Sequence, residues 1–208
     1  MRIALIHAVR VAMQPVEDAF LRHWPEAERV NLLDDSLSAD RERDGVLTPA
    51  MTRRIATLAD YAIGGGAAGV LYTCSAFGEA IQKVKDESDV PVLKPNEAMF
   101  AEARRLGRRI GMLATFQPSV ASMEQEFGGE LTSICVPEAM AALKNGDGAT
   151  HDRLLAQAAP RLQGCEALML AHFSTARARE AVAAVVACPV LTAPDSAVLR
   201  LRQALSRK

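Results

Sequence analysis

The chain has 208 residues, half of them apolar and 4% aromatic, with 24 basic against 25 acidic side chains and a formal net charge of -1. That length buries a sizeable core as one large domain or two small ones. The even charge balance, with no basic stripe carrying interleaved aromatics, argues against a nucleic-acid partner.

The opening "MRIALIHAVRVAMQP" reads as a first strand, since Arg10 and Gln14 interrupt its apolar stretch too soon for a secretory leader. No apolar stretch reaches the roughly 20 residues that span a bilayer as a helix, so no membrane association and a cytoplasmic location are expected. "PVEDAFLRHW" follows as an amphipathic helix, and the charged "LLDDSLSADRERDG", which has no helical stripe, reads as a solvated connecting loop. "GGGAAG" at 64–69 fits Gly-x-Gly-x-x-Gly, but it follows the helical "RRIATLADYAI" and leads into a strand. A dinucleotide site needs the reverse order, so these glycines read as a helix stop.

Strand and helix then alternate through "GVLYTCS", "FGEAIQKVKDES" and "VPVLKP". They alternate again through "RIGMLAT", "SVASMEQEFG", "LTSICVP", "HDRLLAQAAPRLQG", "ALMLAHF", "ARAREAVAAVVA" and "CPVLTAP". Apolar runs separated by amphipathic segments predict an α/β fold with mainly parallel sheets. The strand-to-helix junctions "KPNEAMF" and "APDSAVL" offer Asn96 and Asp195 as helix-capping residues.

The alternation is a repeat. "RIALI" at 2–6 matches "RIGML" at 109–113, "VLYTC" at 70–74 lies over "LMLAH" at 168–172, and "PVL" at 91–93 recurs at 189–191. The last two matches share one offset, which predicts a duplicated unit: a first half over 1–97, a second over 98–197, and a C-terminal helix, 198–208, returning to the first. In that register Cys74 falls on His172, each ending an apolar strand before a turn of small residues. Ligands of open parallel sheets collect beyond the carboxyl ends of the strands, which predicts that the two face one another across a cleft.

With "LYTCSAFG" and "LAHFS" in these positions, the chain resembles the aspartate/glutamate/hydantoin racemase superfamily, which includes arylmalonate decarboxylases and maleate isomerases. The resemblance implies two pseudo-symmetric α/β domains with the active site between them. It also implies cofactor-independent proton transfer, beside the carboxylate of a small acid, by a cysteine from each half. Here Cys74 keeps the first position and His172 stands at the second. The substrate loops "Asn-Pro-Asn-Thr-Ser" and "Asp-Ser-Gly" are replaced by "HAVRVAMQP", so the substrate's identity does not carry over.

A thiolate and an imidazole both move protons, so Cys74 and His172 are the candidate catalytic pair. Thr115, Gln117 and Ser119, with backbone N–H groups after Cys74 and His172, are candidates to hold an anion. His7, Thr73, Ser75, Phe173 and Ser174 complete the candidate substrate-binding set. The pattern leads to a racemase or epimerase acting on an amino acid or hydantoin-like carboxylate. A decarboxylase or cis-trans isomerase using Cys74 alone, a non-catalytic binding protein and a Cys/His amidase are the rivals. Cys135, Cys165 and Cys188 read as packing residues; with no Cys-x-x-Cys pair and scattered histidines, neither a disulfide framework nor a metal site is expected. No cofactor is expected, and association into a homo-oligomer is left open.

Overall fold

The computed structural model describes residues 1–206; residues 207 and 208, the end of the expected returning helix, lie outside the described residues. In the first half, β1 (Arg2–His7) leads to α1 (Met13–His23) and β2 (Glu28–Leu33). Next come α2 (Ser36–Asp44), α3 (Pro49–Gly64), β3 (Gly69–Tyr72), α4 (Gly78–Glu87), β4 (Val92–Leu93) and α5 (Glu97–Leu106). The second half runs β5 (Ile110–Ala114), α6 (Val120–Phe127), β6 (Leu131–Cys135), α7 (Pro137–Lys144) and α8 (Gly148–Ala158). It ends with β7 (Ala167–Leu170), α9 (Arg179–Ala183), β8 (Val190–Thr192) and α10 (Ala193–Ser206).

Each half holds one parallel four-stranded sheet, ordered β2-β1-β3-β4 in the first and β6-β5-β7-β8 in the second. These are the two pseudo-symmetric α/β units that the repeat predicted. The register agrees residue by residue: Ile6 pairs with Tyr72 as Leu113 pairs with Leu170, and Val70 pairs with Val92 as Leu168 pairs with Val190. The central strands β1, β3, β5 and β7 are buried on both faces, and for that reason they read as unbroken apolar runs.

Alternate residues of these strands feed different layers. Ile3, Leu5, Met112 and Met169 join Phe20, Phe100 and Leu201 in a central core drawn from both halves. Ala4, Ile6, Val70 and Tyr72 pack outward beneath α3 and α4, and Leu113, Leu168 and Leu170 do the same in the second half. In α10, Leu201 and Leu205 lie against Gly69 of β3, so the last helix packs on the first sheet.

Three elements depart from the sequence reading. β2, "ERVNLL", escapes an apolar-run search because it is a half-exposed edge strand. α7, eight residues opened by Pro137, buries only Ala139. The segment expected to be a solvated loop contains α2, closed by Gly45 in the left-handed region at φ 69°. Its only buried side chain is Leu37, so hydrophobic periodicity had nothing to register. Long-range ion pairs stabilise it instead: Arg54 of α3 donates to Asp34 at 2.6 Å and to Asp40 at 2.6 Å. The glycines at 64–66 do end a helix and precede β3.

Gly111 marks the tightest point of the second sheet. A methyl group there would overlap Leu168 and crowd Leu162 and Cys165, all fixed by the outer core. Gly111→Ala is therefore expected to destabilise the protein by about 1–3 kcal/mol, read as a lowered urea midpoint; an unchanged midpoint would mean that this layer is loosely packed.

Candidate active site

Cys74 and His172 occupy equivalent backbone positions. Each follows the last residues of its central strand in extended conformation, φ -121° and ψ 121° for Cys74, φ -111° and ψ 151° for His172. Each opens a 3-10 turn, Ser75–Phe77 in the first half and Phe173–Ala178 in the second. The turns cross between halves: Ser75–Phe77 touches the 3-10 turn Gln117–Ser119 after β5, and Phe173–Ala178 touches the turn Arg10–Ala12 after β1. The carboxyl ends of all four central strands therefore meet along one seam.

The Cys74 side chain packs partly buried against the outer core of the first half. Burial pushes its pKa above the usual thiol value, while hydrogen bonds with the Ala76 backbone and the Ser38 hydroxyl pull the other way. Burial is the largest influence, so the resting group is the protonated thiol rather than the thiolate taken as the working form from sequence. Ser38 lies on α2, within the stretch read as a loop.

The His172 ring is held within the second half. Thr115 N–H donates to Nδ1 at 3.3 Å, with the Thr115 hydroxyl also 3.3 Å from that nitrogen. Nε2 is 2.9 Å from Ser119 Oγ, whose own proton goes to the Phe116 carbonyl at 2.9 Å. A backbone donor on Nδ1 and a serine already donating elsewhere define one tautomer, neutral with the proton on Nε2. Burial pushes the pKa of His172 down to about 4, which keeps it neutral at physiological pH. The Nδ1 contacts are long and the Nε2 contact is of normal length, so Nδ1 is the nitrogen more easily released. Thr175 fixes the backbone: its hydroxyl oxygen accepts from His172 N–H at 3.2 Å and its hydroxyl donates to His172 C=O at 2.6 Å. Arg177, in the same turn, is tied to Asp152 of α8 at 2.9 Å.

The other predicted residues divide by environment. His7 and Thr73 are buried and bonded to each other, Nδ1 to Oγ1 at 2.9 Å. His7 Nε2–H donates to Asn31 Oδ1 at 2.8 Å, and Asn31 Nδ2 donates to Glu17 at 2.8 Å. That chain of bonds runs from the strand end beside Cys74 to the surface. Phe173 packs into the central core, Ser174 is buried, and Gln117 is exposed. Ser75 lines a groove of about 820 Å³ between α2, α4 and α6, together with Ala76, Phe116 and Pro118. Neither Cys74 nor His172 is among the groove's lining residues, and no hydrogen bond joins the two among the described residues.

Asn96 precedes α5 as expected but makes no side-chain cap bond, whereas Asp195 lies in the first turn of α10 rather than at its cap, its N–H donating to Thr192 Oγ1 at 3.4 Å. Asn96 is buried with its amide against Met123 Sδ at 3.3 Å, and Asp195 accepts from Arg22 at 2.7 Å and from Thr192 at 2.7 Å. Among the described residues no group of three or more His, Cys, Asp or Glu side chains could hold a metal, and no helix is long and apolar enough to cross a membrane.

Residues 12–128 match the family model "Asp/Glu/Hydantoin racemase", a stretch that includes Cys74, Thr115 and Ser119 and stops short of His172. No curated protein matches the sequence. Among solved structures, the chain superposes on glutamate racemase from Thermus thermophilus with a TM-score of 0.76 and 22% identity, covering 99% of this chain and 80% of that one. Allantoin racemase from Klebsiella pneumoniae gives 0.74 at 14% identity, covering 100% and 88%. Allantoin racemase from Pseudomonas fluorescens gives 0.71 at 16%, covering 100% and 92%. The family match over more than half of the sequence, on a duplicated α/β scaffold with a cysteine at the end of its third strand, identifies the chain as a member of the Asp/Glu/hydantoin racemase family of isomerases.

Proposed function

We propose that the protein is a cofactor-independent racemase or epimerase that exchanges the proton on the carbon beside a small substrate's carboxylate, the substrate being an amino acid or hydantoin-like acid. Cys74 and His172 work as the two proton-transfer groups. The observation that carries the reading is their equivalence, since matching strand ends open matching turns from the two halves.

Their resting protonation states form a complementary pair. A protonated thiol is an acid and a neutral imidazole is a base. His172 Nδ1 leaves Thr115 and takes the proton from one face of the substrate, while the Cys74 S–H delivers its own proton to the other. Imidazolium and thiolate remain, which is the pair needed for the reverse direction. Ser119 keeps Nε2 oriented throughout, and the hydroxyls of Thr115, Ser75 and Ser174 with the amide of Gln117 are the groups assigned to the carboxylate. His7 and Thr73 support the Cys74 strand end.

The test is proton NMR in deuterated water with amino acids, hydantoins and substituted malonates. Loss of the α-proton signal from a substrate, in both enantiomers, is the expected result; a panel without exchange in either enantiomer would refute the assignment.

The occupation of both His172 nitrogens supports a second reading, in which Cys74 alone protonates a carbanion from one face, as after decarboxylation. His172→Gln separates the two, because glutamine can accept from Thr115 and donate to Ser119 without serving as a base. Loss of about 10²–10⁴-fold in turnover is expected for the two-group reaction, and near-normal turnover for the one-sided reaction.

A further inference from the structure

The turn that His172 opens is longer than its counterpart in the first half. The 3-10 segment Phe173–Ala178 runs for six residues, against three for Ser75–Phe77, and α9 begins only at Arg179. Runs of that length are uncommon, because their hydrogen bonds have poor geometry and side chains three residues apart eclipse. Support from side chains is needed to keep such a turn in one form. Thr175 supplies it at the start, bonded to both backbone groups of His172. Arg177 supplies it at the far end.

Arg177 forks onto Asp152 of α8: Nε donates to Oδ1 at 2.9 Å and Nη2 donates to Oδ2 at 3.2 Å. The carboxylate is itself oriented from behind. His151 is completely buried, and its Nδ1–H donates to the same Oδ1 at 2.7 Å while Nε2 has no partner. Burial lowers the pKa of His151, which keeps the ring neutral with its one proton directed at Asp152. Gly148 completes the arrangement, since a methyl group there would overlap the Arg177 guanidinium. Gly148, His151 and Asp152 stand three and four residues apart on one face of α8. An ion pair with a half-exposed partner contributes little by itself. A two-bond fork on a carboxylate fixed by a buried imidazole, however, sets direction as well as attraction.

We infer that Arg177 is a positioning residue for His172: the Gly148, His151 and Asp152 face of α8 clamps the far end of the turn, so that the imidazole stays between Thr115 and Ser119. The inference rests on the proposed function only for what His172 does in that place. Loosening the clamp leaves the chemistry of the imidazole intact and frees its orientation, a fault that costs turnover rather than substrate binding.

The test is long-range proton–nitrogen NMR of the imidazoles in the full chain, with the His172 signals assigned by their loss in His172→Gln. Wild type is expected to show one neutral Nε2–H pattern for His172. Arg177→Ala and Asp152→Asn should move it toward the averaged pattern of a freely turning imidazole. Gly148→Ala is the more selective variant. Alanine suits a helical backbone at least as well as glycine, and the added methyl displaces only the flexible end of Arg177, so the fold is kept while the clamp is broken. It should alter the His172 pattern with the melting temperature nearly unchanged. With a substrate that exchanges its α-proton, all three variants should lower kcat by about 10–10²-fold at an unchanged KM. A wild-type His172 pattern in folded Gly148→Ala, or in folded Arg177→Ala, would overturn the assignment and leave Arg177 and Asp152 as a surface ion pair only. Because this readout needs no turnover, an altered pattern with undiminished exchange would support the clamp and count against His172 as the base of the proposed reaction.

Discussion

Cys74→Ala is expected to lower α-proton exchange by about 10²–10⁴-fold, the usual contribution of a positioned acid or base, while the protein stays folded. The substitution removes one sulfur from a half-buried position at the edge of the outer core of the first half. Burial of that sulfur stabilises the fold by roughly 1 kcal/mol, which for a chain of this size is about 2–4 °C in melting temperature. Cys74→Ser should keep the site's shape nearly unchanged and still fail, because a hydroxyl gives up its proton far less readily than a thiol. Alkylation supplies an independent check. With its pKa raised by burial, Cys74 should react slowly with iodoacetamide at neutral pH and faster only in alkaline solution. Full exchange activity in Cys74→Ala would remove the thiol from the mechanism altogether.

How far the site could be seen in the sequence depends on which contacts were local. The equivalence of Cys74 and His172 was visible because parallel strands buried on both faces keep their apolar words, so the stretches 70–93 and 168–191 could be laid over one another at one offset and the register followed. What surrounds each group was not visible. Ser38 reaches Cys74 only because α2 folds, and α2 depends on Arg54 from a different helix rather than on a stripe of its own. Ser119 appeared in the sequence as one of several polar residues after β5; its bond to Nε2, which decides the tautomer, spans 53 residues. Phe173 shows the opposite error: proximity to His172 in sequence suggested a place beside the substrate, yet the turn directs its ring into the central core. The edge strand β2 was overlooked because solvent on one side dilutes the apolar pattern that betrays β1 and β3.

The neutral state of His172 has a consequence for stability that can be measured without a substrate. In the unfolded chain a histidine titrates near pH 6.5, whereas burial pushes the folded value down to about 4. Between these values the unfolded chain takes up a proton that the native ring refuses, so stability is complete above about pH 6.5 and declines as the pH falls toward 4. The decline amounts to at most about 1.4 kcal/mol per pH unit from this residue. His7 and His151 are also shifted downward by burial and act in the same direction. The carboxylates held low by their partners, Asp34 beside Arg54 and Glu166 beneath the N–H groups of Arg108 and Arg109, lose their contribution only at still lower pH. Urea titrations at pH 7.5 and 4.5 should therefore show wild type losing stability by more than the His172→Gln variant, with the difference about 1–3 kcal/mol. Equal losses would mean that the ring is open to water and titrates normally. Such an imidazole would be partly charged near neutrality, would no longer accept from Thr115 through Nδ1, and could not stand as the resting base opposite a protonated thiol.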